Sequence, residues 1–309
     1  MQLSMNILAK SGAGIFIGLT LLLAQACSQQ VKSEKTPVST SITDENSHEG
    51  HFMRNFDMPV ASKNPHEGHG VSNSKLDSAN TSAKLTFSSQ ITPKAAIPLV
   101  IDVQGNGGET ITNFDKFQEQ LMHLIVVSDD LQFFNHLHPV YKGNGRFEVK
   151  ASFPQSGSYT LFSDYKPAGK AEQVSVLKAQ VPGKNSAISK IDFSSIKTLG
   201  NTKVYLSSSQ PTLKAGEEVH LIFNLKDVAN NQPLKDLQPY LGERGHLVIL
   251  KQSPQLTKAD YIHAHAMKDT PLGEVHFITN FPQIGNYKLW GQFNRNGKVV
   301  TADFWVNVR

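Results

Sequence analysis

The sequence predicts an all-β protein with two tandem antiparallel β-sandwich domains of immunoglobulin-like type, preceded by a disordered N-terminal tether. Short runs rich in β-branched and aromatic residues recur along the chain, separated by Gly, Pro, Asn or Asp. Few stretches show a helical period. One pattern of residues appears twice, and an internal repeat of this kind indicates two copies of one structural unit.

Composition and length fit this organisation. The 309 residues can form two ordinary cores, and a charged content of 18% is too low for a wholly disordered chain. The net charge of +4 comes from basic and acidic residues spread along the chain, so we expect no nucleic-acid partner. The predicted parts are a signal peptide (1–26), a tether (27–80), a first sandwich (81–182), a linker (183–200) and a second sandwich (201–309).

The N-terminus has the pattern of an export signal. Lys10 supplies a positive charge, and the apolar run from Ile15 to Leu23 is too short to span a bilayer. Cys27 is the only cysteine, so the chain forms no intramolecular disulfide. Residues 23–27 resemble a bacterial lipoprotein processing site, which implies a lipid anchor on Cys27; ordinary signal cleavage is the alternative. Both predict an exported protein of the cell envelope, facing the periplasm or the exterior.

The tether contains the tetrapeptide His-Glu-Gly-His twice. It is rich in Ser, Thr, Asn, Lys and Glu and has too little apolar surface to fold alone. His-rich tracts are typical of metal binding, and imidazole together with thioether groups suits copper in both oxidation states. Accidental histidines in a polar linker are the alternative. The candidate ligands of the tether are His48, His51, Met53, Met58, His66 and His69.

The two repeats share a tail with the sequence Phe-Pro-Gln-x-Gly-x-Tyr. Residues 145–159 align without gaps with residues 273–287. Proline can end a strand and glycine can adopt turn dihedrals closed to other residues. We therefore interpret this tail as scaffold, with Tyr159 and Tyr287 as buried aromatic residues at a sandwich corner.

Each repeat also keeps three histidines, which we predict to bind a metal on one face of a sheet. Residues two apart on a strand point to the same side, so His136 and His138 share a face. A hairpin centred on residues 128–131 would place His123 directly opposite His136. A hairpin centred on residues 254 and 255 preserves this parity in the second repeat. The corresponding histidines there are His246, His263 and His265.

Three neutral imidazoles on one face are a suitable site for Cu(II) or Zn(II). Copper is the predicted ion, and zinc is the alternative. Histidines that only hydrogen-bond backbone groups at strand ends are the competing interpretation. His220 and His276 have no histidine at the matching position of the first repeat, so we treat both as incidental.

Both repeats resemble the exported bacterial YtkA-like domains over about 200 residues. The resemblance implies immunoglobulin-like sandwiches associated with copper or heavy-metal handling in the cell envelope. More loosely, the chain is similar to periplasmic copper carriers of the CopC-like class. It departs from the pattern at Ala266, where the first repeat has Pro139, and neither domain has a methionine-rich loop. The segments that carry the resemblance are residues 121–127, 134–139, 153–159, 241–247 and 263–265.

The sequence therefore predicts an envelope lipoprotein that captures, holds or relays metal ions, with an envelope metal-transport protein or an oxidase as its partner. Catalysis is not expected, because the chain lacks a nucleophile elbow and a phosphate-binding Gly-rich loop and shows no carboxylate beside the histidines as a base. The alternative is a non-catalytic protein-interaction module of the envelope whose histidines are structural.

Overall fold

The computed structural model describes residues 80–87, 90–184 and 190–309. The predicted signal peptide, Cys27 and the tether ligands His48, His51, Met53, Met58, His66 and His69 lie outside the described residues. No helix among the described residues is long and apolar enough to cross a membrane. Both sandwiches belong to one compact unit of the chain, Lys63–Arg309.

The described residues form seventeen β-strands and one short 3₁₀ helix, Lys258–Asp260. The strands of the first domain are β1 (Thr81–Phe87), β2 (Ala96–Gly105), β3 (Met122–Ser128), β4 (Phe134–Leu137), β5 (Val140–Gly143), β6 (Arg146–Ser152), β7 (Gly157–Tyr165) and β8 (Gln173–Val181). Those of the second domain are β9 (Ile196–Leu199), β10 (Thr202–Ser208), β11 (Glu218–Asp227), β12 (Leu237–Gln238), β13 (His246–Lys251), β14 (Tyr261–His265), β15 (Glu274–Asn280), β16 (Gly285–Arg295) and β17 (Lys298–Val308).

Each domain is a sandwich of two antiparallel sheets, which confirms the predicted fold class. The first domain pairs a sheet of order β1-β2-β6-β5 with a sheet of order β4-β3-β7-β8. The second pairs β15-β11-β10-β9 with a sheet in which β14, β13, β16 and β17 follow one another and β12 adds to the end of β16. The sheets β4-β3-β7-β8 and β14-β13-β16-β17 are therefore equivalent, and we call them the inner sheets.

The alternation of the strands builds a core inside each sandwich. On β2, Leu99, Ile101 and Val103 are fully buried while the residues between them are less so. On β11, the buried positions likewise alternate from Val219 to Leu225. Burial of each such side chain stabilises the fold by roughly 1.5 to 3 kcal/mol, so this alternation fixes which face of each strand turns inward.

The shared tail forms the same corner in both domains. The Tyr159 hydroxyl donates to the Gln155 carbonyl at 2.8 Å, and the Tyr287 hydroxyl donates to the Gln283 carbonyl at 2.8 Å. Gly157 has a φ of 137°, which favours glycine because a Cβ is poorly tolerated there. The interpretation of the tail as scaffold with buried corner tyrosines is confirmed.

Strand β9 corrects the predicted linker. Residues 196–199, assigned from the sequence to the linker, pair with β10 as the edge strand of the second sandwich. The chain reverses through Gly200, whose φ is 59°, and Asn201, so the two strands form a tight hairpin. The sequence Ile-Lys-Thr-Leu is short and its strand lies at a sheet edge, which left little periodic signal.

The central strands of the two inner sheets are buried on both faces. On β3, Leu124 and Val126 belong to the core of the first sandwich, whereas Ile125 and Val127 pack against residues of the second domain. On β13, Val248 and Leu250 do the same from the other side. The two domains therefore pack inner sheet against inner sheet. The buried members of this apolar interface are Ile125, Val127, Leu131, Phe162, Val248, Leu250, Leu256, Trp290 and Trp305.

Contacts across the apolar interface are reciprocal. The Phe134 ring stacks on Trp290 with centroids 4.9 Å apart, and the Tyr261 ring stacks on Phe162 at 4.8 Å. Sheet pairing shows that Phe134 is equivalent to Tyr261 and Phe162 to Trp290. The same two contacts are thus made in both directions, as in an isologous dimer with pseudo-twofold symmetry.

Candidate metal centre

The six histidines predicted in the two repeats lie on the faces of the inner sheets that point toward the other domain. His123 comes two residues before Ile125, and His136 two residues after Phe134, so both point toward the second domain. The second repeat is arranged in the same way. Because the two sheets pack against each other, six histidines gather between the domains. We call His123, His136 and His138 the first triad, and His246, His263 and His265 the second triad.

The register within each hairpin differs from the prediction by two residues. Ile125, not His123, lies opposite His136, and in the second repeat Val248 lies opposite His263. The first loop starts one residue later than expected, because the Ser128 amide still donates to the Phe133 carbonyl across the hairpin. A shift of two preserves parity, so the histidines keep their shared face although their direct cross-strand pairing was predicted wrongly.

The first triad is closely packed and buried. His123 Nδ1 lies 2.9 Å from His136 Nε2, and the His138 ring lies 5.2 Å from that of His123 and 4.7 Å from that of His136. One ring nitrogen from each of the three residues lies within 4.8 Å of the others. His123 is fully buried and His136 is 9% exposed. This arrangement could hold one metal ion.

Hydrogen bonds on the far side of each ring define which nitrogens of the first triad face inward. His123 Nε2 lies 3.2 Å from the Phe117 carbonyl, which can only accept, so the proton of this ring is on Nε2. His136 Nδ1 lies 2.7 Å from Gln292 Oε1, and the Gln292 amide nitrogen donates to Thr301. In neutral rings, His123 Nδ1 and His136 Nε2 therefore present lone pairs to each other.

Burial keeps these rings neutral. Desolvation, and then the neighbouring histidines, lower the pKa of His123 to about 2 and that of His136 to about 3. Desolvation also lowers the pKa of His138, and it lowers that of His246 well below its ordinary value. With no proton to share, the 2.9 Å contact between His123 and His136 is a contact of two acceptors, which a cation between them would stabilise. Neutral imidazole is also the form that binds metals.

The second triad has the equivalent histidines but is more open, with ring centroids 5.4 Å apart between His246 and His263 and 5.7 Å apart between His263 and His265, and His246 Nε2 has no hydrogen-bond partner. His246 Nδ1 lies 3.2 Å from His263 Nε2, and His263 Nδ1 donates to Asp164 Oδ2 at 3.2 Å. Sheet pairing makes Asp164 the equivalent of Gln292. The Gln118 amide nitrogen lies 2.6 Å and 2.8 Å from the two ring nitrogens of His265. In each triad, one histidine thus forms a hydrogen bond with a side chain of the other domain. The partner is the Gln292 amide for the first triad and the Asp164 carboxylate for the second.

The two triads form one cluster. The His123 ring centroid lies 6.0 Å from that of His246 and 5.6 Å from that of His263. The corresponding distances from His136 are 5.8 Å and 6.2 Å. Among the described side chains that are buried without a hydrogen-bond partner are two atoms of this cluster, His138 Nε2 and His246 Nε2. Unpartnered buried nitrogens cost free energy unless something else binds them.

Two turns cover the cluster. Phe117 and Gln120 pair across one turn, and the Phe117 ring lies 4.7 Å from the His123 ring. Tyr240 occupies the same place in the second domain, 5.4 Å from His246. Each turn has two central residues with positive φ, and a Cβ on Gly242 of the second turn would lie 3.5 Å from Glu119 of the first. The turns therefore meet above the histidines and shield them from solvent.

Sequence reasoning did not find the supporting residues Phe117, Gln118, Asp164 and Gln292. Asp164 lies opposite His123 and Gln292 opposite His246 on the neighbouring strand of each inner sheet. A correct register would have placed them on the histidine face. Nothing in the sequence showed that they serve the triad of the other domain, because that depends on the packing of the two sandwiches. His220 and His276 lie on the other sheet, beside Glu218 and Glu274.

The donor set fits a copper or zinc ion. Ligand nitrogens about 2.0 Å from one ion lie about 2.8 Å apart in a square arrangement and about 3.3 Å apart in a tetrahedral one. The contacts between His123 and His136 and between His246 and His263, at 2.9 Å and 3.2 Å, fall within this range. The hydrogen bonds to Gln292 and Asp164 fix the ring orientation, as the outer partners of metal-bound histidines do.

Comparison with protein families assigns both repeats to one family. Residues 77–181 and residues 197–309 each match the profile of DUF8832, a domain of unknown function, and together they make up more than half of the chain. The chain belongs to the DUF8832 family. The two DUF8832 domains coincide with the two sandwiches, and the second match begins within β9. None of the curated proteins matches the chain.

Three solved structures are distantly similar to the chain. FdeC, an Escherichia coli adhesin, is 15% identical with a TM-score of 0.24, over 76% of this chain and 66% of that one. An Escherichia coli alpha-2-macroglobulin activated by porcine elastase is 7% identical with a TM-score of 0.26, over 75% and 22%. Invasin, a bacterial integrin-binding protein, is 10% identical with a TM-score of 0.22, over 72% and 39%. The chain spans less than two thirds of each of these proteins, and such low scores carry no argument about function.

Proposed function

We propose that this protein binds copper in the histidine cluster between its two DUF8832 domains. The observation that carries the proposal is that His123 Nδ1 and His136 Nε2, which both carry lone pairs, lie 2.9 Å apart next to the His138 ring, whose Nε2 is buried and unpartnered. Neutral imidazoles in this geometry match the preference of Cu(II), and zinc is the competing ion.

Structural histidines explain these contacts less well. A histidine that only stabilises a strand end donates one proton to a backbone carbonyl, as His123 does to Phe117. That role accounts for one side of the ring and leaves the inward nitrogens without donors. Burying them costs free energy of about 1 to 3 kcal/mol each when they remain unpaired. A bound cation would offset that cost.

The proposed setting is the cell envelope. The export pattern and Cys27 support a lipid-anchored protein, and the His/Met tether supports capture of ions that the cluster then holds or relays. The resemblance to YtkA-like and CopC-like domains supports the same role. An envelope metal-transport protein or an oxidase would then exchange copper with the cluster.

The test is a titration with Cu(II) and with Zn(II), followed by calorimetry, on protein whose other candidate ligands are removed. We call it the tether-substituted protein. It carries alanine at Cys27, His48, His51, His66 and His69, and leucine at Met53 and Met58. We expect submicromolar binding of Cu(II). Replacement of His123 and His136 by alanine should weaken binding to the first triad by at least about 100-fold, since even outer partners of ligands contribute about 10- to 100-fold.

The matched control replaces two histidines outside the cluster, His220→Ala and His276→Ala, and should leave copper binding unchanged. Circular dichroism verifies that every variant folds. Binding weaker than micromolar in the tether-substituted protein would refute the proposal. The proposal would also be refuted if the variant with alanine at His123 and His136 and the control variant bound copper equally well.

A further inference from the structure

We infer that the two triads form one dinuclear centre, in which two copper ions bind between the domains close enough to interact magnetically. The inference rests on the proposed function and adds the number of ions and their relation. It follows from ring distances within and between the triads, from the reciprocal hydrogen bonds and from the two turns above the cluster.

Ring distances separate one shared ion from two. A ring centroid lies about 3.1 Å from an ion bound through its nitrogen, so two rings on one ion have centroids about 4.4 to 5.1 Å apart at square or tetrahedral angles. Within the first triad the distances are 5.1, 5.2 and 4.7 Å. This triad is already close to the geometry of one shared ion.

Distances between the triads are longer than those within the first triad and longer than the 5.4 Å between the His246 and His263 rings, although the His263 and His265 rings are also 5.7 Å apart. The four separations that join His123 or His136 to His246 or His263 range from 5.6 to 6.2 Å. A single ion shared by all four rings would require the inner sheets to approach further, and the apolar interface beside the cluster opposes this because protein interiors are close-packed. Two ions need no such approach.

Each triad has its own inward donors. His136 Nε2 is directed at His123 because Gln292 of the other domain holds the opposite nitrogen. His263 Nε2 is directed at His246 because Asp164 holds its opposite nitrogen. The hydrogen bonds therefore aim one donor pair at each of two points, and neither point is complete without a residue of the partner domain.

The environment also suits two ions. Asp164 is 3% exposed and supplies a negative charge through His263, which offsets part of the charge of a second ion. The turns that contain Glu119 and Gly242 close the cluster on one side. With rings at most 6.2 Å apart, two ions bound on them lie within about 12 Å of each other. Two Cu(II) ions at such a distance broaden each other's electron paramagnetic resonance spectrum.

The experiment records this spectrum while Cu(II) is added to the tether-substituted protein. We expect two bound ions at saturation, an unbroadened signal up to one equivalent, and broadening with a half-field transition as the second ion binds. The matched variant combines His246→Ala with His263→Ala. It should bind one ion and keep the unbroadened signal at every copper concentration.

Two results would overturn the inference and leave the proposed function intact. Two ions with simple additive spectra would mean separate sites. Saturation at one ion would mean a single site, shared by both triads if the His246→Ala and His263→Ala variant loses copper and confined to the first triad if it does not. A protein that binds no copper would overturn both the inference and the proposed function. Fluorescence of Trp290 and Trp305, the only tryptophans, verifies that the interface of the double variant is intact.

Discussion

The first and second triads contain equivalent histidines on equivalent strands, yet they differ in the side chain that forms a hydrogen bond with them. The first triad depends on the neutral amide of Gln292, whereas the second depends on the carboxylate of Asp164. The first is also tighter, with a contact between His123 and His136 of 2.9 Å against 3.2 Å between His246 and His263. Duplication thus preserved the histidines and changed their electrostatic environment.

This difference has a physical consequence for metal binding. A carboxylate that accepts a hydrogen bond from a metal-bound histidine raises the basicity of the ring and adds negative charge beside the ion. The second triad should therefore favour the divalent ion more strongly. The first triad has no such charge and is preorganised by its geometry instead. The two triads should bind copper with unequal affinity for different reasons.

The largest effect is expected from a variant that weakens the packing of the two domains and so separates the two triads. Trp290→Ala deletes the ring that stacks on Phe134 in the apolar interface, and a buried tryptophan replaced by alanine costs about 3 to 5 kcal/mol. We expect this loss in the free energy of unfolding measured with urea, together with weaker copper binding at both triads. Phe193→Ala, at a residue 52% exposed, is the control and should change stability by less than about 0.5 kcal/mol.

If Trp290→Ala weakened binding at one triad and left the other unchanged, the unchanged triad would be independent of domain packing and the two triads would not act as one cluster. The equivalent variant Phe162→Ala, which removes the stacking partner of Tyr261, should give a similar loss because the contacts are reciprocal. Loss of stability in only one of the two variants would contradict the pseudo-twofold description of the interface.

The sequence predicted the fold and the histidine face because both depend on local periodicity. Alternation on strands such as β2 and β11 defines the cores, and the spacing of His136 and His138 places them on one side of a strand. The shared tail predicted that Tyr159 and Tyr287 lie at the corners of the two sandwiches. These inferences need only the geometry of one strand or one turn.

The interface between the domains was not predicted, although one signal was present. Residues 124–127 and 247–250 are uninterrupted apolar runs, and such runs are typical of strands buried on both faces. Their second buried face indicates that the outer surface is covered. The supporting roles of Asp164 and Gln292 could not be derived in this way, because each contacts a histidine of the other domain. The separation along the chain is 99 residues for Asp164 and 156 residues for Gln292.

An intermediate effect distinguishes the two supporting residues. Asp164→Asn keeps the shape of the side chain and removes its charge, so affinity of the second triad for Cu(II) should fall by about 10- to 100-fold. Gln292→Glu introduces a carboxylate beside His136 and should raise affinity of the first triad. Calorimetric titration of the tether-substituted protein measures both.

Combination of Asp164→Asn with Gln292→Glu should exchange the order in which the triads fill. A folded Asp164→Asn variant with unchanged affinity at both triads would show that the carboxylate has no part in metal binding. The two triads would then differ only in the distances between their histidines. Asp102→Asn, on β2 beside Arg146, is a charge-matched control and should leave copper affinity unchanged.

The smallest expected effect concerns acid stability of the metal-free protein. The folded-state pKa values of His123 and His136, about 2 and about 3, lie below the ordinary value of 6.5. Below pH 6.5 the unfolded chain therefore binds more protons than the folded one, and stability that is fully present above pH 6.5 is lost as the pH falls toward 3. Between pH 7.5 and pH 5.5 each of the two residues should lower the free energy of unfolding by about 1.4 kcal/mol.

Urea unfolding at the two pH values, with a chelator present, measures this loss. Replacement of His123 and His136 by glutamine should reduce the pH dependence, because both groups that gain protons on unfolding are removed. His220→Gln, at a partly exposed histidine on β11 outside the cluster, should retain the full pH dependence. If the glutamine variant loses as much stability on acidification as the His220→Gln control, the first triad is not the source of acid sensitivity. The second triad, in which burial also lowers the pKa of His246, would then account for it.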